Sequence, residues 1–198
     1  MSSLFQMLAD LTGQENASLA DAIGADESAT QNATRAALPL LLGALQRNAS
    51  SPEGAASLQG ALARDHDGSV LDSFSDLIRD PSGASGAGIL KHAFGGKQRA
   101  VEQGVGQSSG LSPAQASRLL TTLAPMVMGM LGKARKEKEL DAGGLADLLA
   151  GERREAESSA PDLSSLAGLL IDSDGDGMDM GDVTRIGGKL LGGLFKKN

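Results

Sequence analysis

Cysteine, tryptophan and tyrosine are all missing from this chain of 198 residues, and phenylalanine occurs four times. Without cysteine there is no disulfide framework, no thiolate nucleophile and no cysteine-ligated metal. Without the large aromatics the core must be aliphatic: Leu, Ala, Ile, Val and Met, with Phe5, Phe74, Phe94 and Phe195 adding bulk. Such a core is more easily left loose, because alanine fills little volume and methionine has no single preferred shape. Long apolar runs are lacking too, and none approaches the roughly 20 residues that span a bilayer. The N-terminal stretch MSSLFQMLADL has neither the basic start nor the continuous apolar run of a secretory leader. The expected location is therefore the cytoplasm. Basic residues are in the minority, 18 against 25 acidic, for a net charge of −7. A chain of that sign repels nucleic acid, whose binding rests on neutralising phosphates. Strict apolar–polar alternation over strand length is absent as well, so the chain reads as all-α.

What the sequence does contain is a helical stretch written twice. Gly24 to Arg47, GADESATQNATRAALPLLLGALQR, realigns without a gap on Gly110 to Lys133, GLSPAQASRLLTTLAPMVMGMLGK, at a shift of 86 positions. Gly24 falls on Gly110, Pro39 on Pro125, Gly43 on Gly129 and Leu45 on Leu131. Ala33, Ala37, Leu41 and Leu45 form an apolar stripe at intervals of four, and Leu119, Leu123, Val127 and Leu131 repeat it. Each stripe carries a proline, which removes a backbone donor and costs about 3 kcal/mol in a straight helix. Each unit is thus expected to be a kinked helix or two helices meeting near the proline.

Short amphipathic helices surround these two stretches. Ser3–Leu11, Leu19–Ile23, 54–64, 70–78 and 88–96 all show helical spacing, with further short helices at 142–149 and 163–171. Ser51-Pro52 and Ser112-Pro113 are helix starts. Asp65-His66-Asp67-Gly68 reads as a tight polar turn. DPSGASGAG (80–88) and GERREAESSAPD (151–162) read as linkers. The mixed-charge run KARKEKE (133–139) reads as a solvated helical face. The expected organisation is two related helical units, 1–104 and 105–198.

One loop has the chemistry of a cation site. Residues 172–183 read DSDGDGMDMGDV. Asp172, Asp174 and Asp176 alternate and Gly177 follows, which is the front half of a calcium loop: hard cations take oxygen ligands, and the glycine permits the sharp turn. Met178 would offer its carbonyl, and Asp179 or Asp182 would stand in for the missing bidentate glutamate, since position twelve is Val183. Without that glutamate the expected affinity is weak, on the order of 10⁻⁴ M or poorer. The competing reading is a solvated Asx turn with Asp182 capping the next helix. Asp65, Asp67, Gly68 and Asp72 echo the pattern partially, but Ala63 stands at the first ligand position.

GILKHAFGGKQ (88–98) followed by SGLSPAQASRLLTTLAPMVMGMLGK (109–133) resembles the bacterial YidB-like family of unknown function. AALPLLLGALQRNASSPEGAASL (36–58) and DHDGSVLD (65–72) resemble that family's longer members. The resemblance covers roughly 4–133 and implies an all-helical, homeodomain-like arrangement of orthogonal helices. It implies no catalytic residues, because no activity is established for the family.

The functional classes narrow accordingly. His66 and His92 are the sole histidines, and each reads as a cap or packing residue. No serine lies in a GxSxG setting. Gly95-Gly96-Lys97 fails as a phosphate loop, since Lys91 occupies the required earlier glycine position and Gln98 follows the lysine. The C-terminal IGGKLLGGLFKK (186–197) reads as a helix docking on its own domain, with a membrane surface or a second copy as the alternatives. Met126 and Met130 share a face and read as core filling. The sequence therefore points to a non-enzymatic structural or interaction module. Its expected partner is a protein or a second copy, with no small-molecule substrate and calcium as the one candidate cofactor. A DNA-associated protein is the alternative, drawn from the homeodomain-like arrangement alone.

Overall fold

The computed structural model describes residues 3–79 and 85–159. Among them every regular element is helical: α1 (Leu4–Gln14), α2 (Asn16–Ile23), α3 (Glu27–Asn48), α4 (Pro52–Asp65), α5 (Phe74–Arg79), α6 (Gly86–Phe94), α7 (Gln98–Ser109), α8 (Pro113–Glu137) and α9 (Ala142–Ser159). Short 3₁₀ turns at Ser69–Ser73 and Gly95–Lys97 lead into α5 and α7. The all-α expectation holds for these residues.

The two proline-bearing stretches form the long central helices α3 and α8, which pack against each other. Each helix runs on through its proline, so neither unit is two helices meeting there. Packing supplies the reason. Ala36 through Leu42 and Thr122 through Met128 are buried without interruption, so both helices are enclosed on every side around the proline. A helix apolar all round belongs in an interior, and burial of Leu38, Leu40, Leu41 and Leu42 outweighs one lost backbone bond at about 1 kcal/mol. Pro125 cannot donate to the Thr121 carbonyl one turn earlier. The backbone of Gly86, at the start of α6, lies against that carbonyl so closely that any Cβ there would overlap it.

Around this pair, α7 and α9 lie on α3, while α6 and α7 lie on α8. The apolar core is one cluster running from Leu4 to Ala156, with residues from both halves of the chain. It is aliphatic, as the composition requires: Leu8, Leu19, Leu42, Leu62, Leu90, Leu123 and Met126 are wholly enclosed. Met126 is core filling, and Met130 packs partly buried against the same cluster.

Several boundaries differ from the sequence reading. The helix expected at 142–149 continues to Ser159, so most of GERREAESSAPD is helix rather than linker. Arg153, Arg154 and Glu155 lie on the outer face while Leu145, Leu149, Glu152 and Ala156 turn inward at helical spacing. The helix expected at 70–78 opens as a 3₁₀ turn, because Gly68, at φ 101°, brings the chain in against α8. The division proposed at 104/105 falls inside α7.

Candidate interaction site

Two short helices end in the same way, at positions 86 residues apart. α2 stops at Gly24 (φ 68°, ψ 50°), where the Ala25 N–H donates to the Ala20 carbonyl at 3.0 Å. α7 stops at Gly110 (φ 79°, ψ 13°), where the Leu111 N–H donates to the Gly106 carbonyl at 3.0 Å. This left-handed exit suits glycine, which has no Cβ to clash, and it satisfies carbonyls that the helix end leaves free. One residue further on, Asp26 and Ser112 open α3 and α8.

The two turns face each other across an open cleft of about 390 Å³. Gln115 joins them. Its side-chain carbonyl accepts the Ser112 N–H at 2.9 Å, the Ser112 hydroxyl accepts the Gln115 N–H at 3.3 Å, and the Gln115 amide donates to the Gly24 carbonyl on the opposite turn. Gln115 therefore closes the capping box of its own helix and ties the two units together. The spacing Ser112-x-x-Gln115 was the signal for the box; nothing local signalled the reach to Gly24.

Asp21 and Asp26 line the same cleft and are exposed. Their carboxylates are the side-chain acceptors on offer, while the Ala20, Asp21 and Gly24 carbonyls are already engaged. Histidine, serine and lysine do not line the cleft. An arrangement of this kind can receive donor groups of a partner at its two exposed carboxylates.

The polar turn of the first half is a packing device. The carbonyl of His66 rests on Gly132 of α8, where any Cβ would overlap it, and Val70 rests on Gly129. His66 is half-buried, and burial lowers its pKa below the usual histidine value, with Asp65 working in the opposite direction. Asp67 accepts the Ser69 N–H at 3.0 Å, and that bond, with smaller help from Lys136, lowers its pKa. One Asp67 oxygen is thereby engaged in an Asx turn. His92 is exposed on α6, and its carbonyl accepts from the Asn48 amide at 2.9 Å. The two histidines lie in different elements, each read as a cap or packing residue.

Asp172, Asp174, Asp176, Met178, Asp179 and Asp182 lie outside the described residues. Among the described residues no group of three or more His, Asp or Glu side chains is placed to hold a metal ion. No described helix is long and apolar enough to cross a membrane. The DNA alternative gains no support: over Ala36–Leu42 and Thr122–Met128 the long helices are enclosed and cannot enter a groove there. Arg135 and Lys136 sit in the last turn of α8, where cations complement the helix dipole.

A family model described as bacterial protein of unknown function (DUF937) matches residues 6–134. No curated protein matches the chain, and no solved structure does.

Proposed function

The chain belongs to the DUF937 family of bacterial proteins of unknown function, and for it we propose a non-enzymatic helical module that binds another protein through the cleft between the Gly24 and Gly110 turns. The resemblance carried by 88–133 agrees with that family. One observation carries the reading. Among the described residues the one buried ionisable side chain, Glu152, is engaged by two backbone N–H groups of α1. No enclosed acid or base is left for chemistry at a described site. The cleft, by contrast, is open, carries the Asp21 and Asp26 carboxylates and lies between two capped helix ends. Its complement is a basic or amide-bearing segment of a partner protein, and its setting is the cytoplasm.

The test is capture of partners from the source cell on immobilised wild-type chain and on an Asp21→Lys/Asp26→Lys variant. Both substituted positions are exposed, and a helical circular-dichroism spectrum equal to the wild type's is required of the variant. A protein retained by the wild type and lost by the variant supports the reading. Equal retention on both, or turnover of a small substrate by the purified chain, ends it.

A further inference from the structure

The starts of α3 and α8 have the same backbone and differ in one telling side chain. Asp26 (φ −68°, ψ 146°) and Ser112 (φ −66°, ψ 155°) share the extended cap conformation. Their carbonyls accept the N–H four residues on, from Thr30 at 2.9 Å and from Ala116 at 3.0 Å. A left-handed glycine, Gly24 or Gly110, stands two residues before each cap. Burial agrees too: Gly24 and Gly110 are exposed, Ala29 and Gln115 half-buried, Thr30 and Ala116 buried.

The third position after each cap is where they part. In α8 it is Gln115, whose carboxamide accepts the Ser112 N–H at 2.9 Å and donates to the Gly24 carbonyl across the cleft. In α3 it is Ala29, which can do neither. The Asp26 carboxylate does not replace it, since it makes no capping bond of its own. Among the described residues nothing accepts the Asp26 N–H and nothing donates to the Gly110 carbonyl. Asp26, Ala29, Gly110 and Gln115 all line the one cleft. The second unit thus shows, with a ligand group already seated, what the matching backbone of the first unit can hold: an N–H on one wall, a C=O on the other and a carboxamide between.

We propose that the cleft binds a primary carboxamide, carried by an Asn or Gln side chain of a partner protein, in the place on the first unit that Gln115 takes on the second. Its oxygen accepts the Asp26 N–H and its nitrogen donates to the Gly110 carbonyl. Ser112 donates its hydroxyl to the Gln115 oxygen at 2.9 Å. A carboxylate cannot donate, so Asp26 takes the second amide hydrogen instead. That difference sets the selectivity. A carboxylate ligand has no hydrogen for Gly110 and is repelled by Asp21 and Asp26, while an ammonium has no acceptor for the Asp26 N–H. The proposal rests on the reading of this cleft as a partner site, and narrows its complement from basic or amide groups to amides.

Amide resonances of the isotope-labelled full chain test it, with acetamide as the probe and acetate and methylammonium beside it. Each is taken to about 0.5 M, several times the dissociation constant on the order of 0.1 M expected for so small a ligand. The Asp26 resonance should move saturably with acetamide alone. Ala29→Gln carries the carboxamide on the chain itself. Its Asp26 N–H should exchange with solvent about fivefold more slowly than in the wild type or in Ala29→Met, as one net hydrogen bond dictates, and acetamide should no longer move it. No saturable response to acetamide, an equal response to acetate or methylammonium, or exchange at Asp26 unchanged by Ala29→Gln overturns the proposal. A protein captured by the wild type and lost by the Asp21→Lys/Asp26→Lys variant, with no response to acetamide, ends the carboxamide assignment and keeps the partner site.

Discussion

The carboxylate of Glu152 on α9 accepts the backbone N–H of Phe5 at 2.7 Å, with its other oxygen accepting that of Leu4 at 3.0 Å. Ser3 accepts the Gln6 N–H at 3.1 Å in the same turn. Three of the donors that the first turn of α1 leaves open are thus engaged, two of them by a buried negative charge placed where the helix dipole favours one. Glu152→Ala would leave those two donors enclosed without partners, at a cost of about 2 kcal/mol. For a domain of this size the melting temperature should fall by roughly 4–8 °C. Glu152→Gln, which keeps one acceptor, should lose less. Hydrogen exchange should quicken first at α1. Equal melting of wild type and Glu152→Ala would show that the contact contributes nothing.

Acid should weaken the packing of the His66 turn. Burial lowers the pKa of His66 in the folded chain, so the fold favours the neutral imidazole. A group whose folded value lies below its unfolded one contributes its full stability above the unfolded value, near 6.5, and loses it as the pH falls. Asp67 acts in the same sense further down: its lowered pKa gives stability above the unfolded value of 3.8, lost as its carboxylate protonates. Melting followed from pH 7.5 to 5 should show a decline that His66→Asn removes. An identical decline in that variant would assign it elsewhere.

How far the sequence disclosed this fold depends on the range of each interaction. The glycine exits at Gly24 and Gly110, the proline starts at Pro52 and Pro113, and the apolar stripes of α3 and α8 are local, and all are legible as spacing. The continuity of α3 through Pro39 is not local: it rests on neighbours from α7, α8 and α9 that enclose the helix, so propensity alone points to a break. Glu152 shows the limit most plainly. It sits in GERREAE among residues that read as a solvated linker, and its partners are more than 140 positions away. The cleft between the turns was half legible, because the two glycines aligned in the repeat, yet the amide of Gln115 reaching Gly24 could be seen only once the units were in place.

Calcium affinity is a separate expectation, resting on the alternation of Asp172, Asp174 and Asp176 with Gly177. We propose that the full chain binds one calcium ion there with a dissociation constant on the order of 10⁻⁴ M or poorer. Titration calorimetry should show saturable heat at millimolar calcium, removed by Asp174→Asn. Magnesium should compete poorly, since it demands tighter octahedral geometry and sheds water reluctantly. Absence of heat at millimolar calcium leaves the Asx-turn reading of this stretch.

Two glycines in helices should answer the same substitution with opposite signs. Gly132 on α8 lies under the His66 carbonyl, and a methyl group there overlaps backbone that no side-chain rotation can clear. Gly132→Ala must therefore push the 66–71 segment off α8, which overpacked sites show to cost about 1–3 kcal/mol. Gly151 in α9 is exposed and has open space around its Cβ position. Gly151→Ala removes backbone freedom from the unfolded chain and improves helix propensity, a gain of about 0.4–1 kcal/mol. Urea denaturation of both variants beside the wild type reads the difference directly. A lower midpoint for Gly132→Ala with a higher one for Gly151→Ala is expected, because close backbone approach operates at the first site and conformational entropy at the second. If Gly132→Ala kept the wild-type midpoint, the 66–71 segment would not rest on α8 in solution, and the packing assigned to the His66 turn would fall with it.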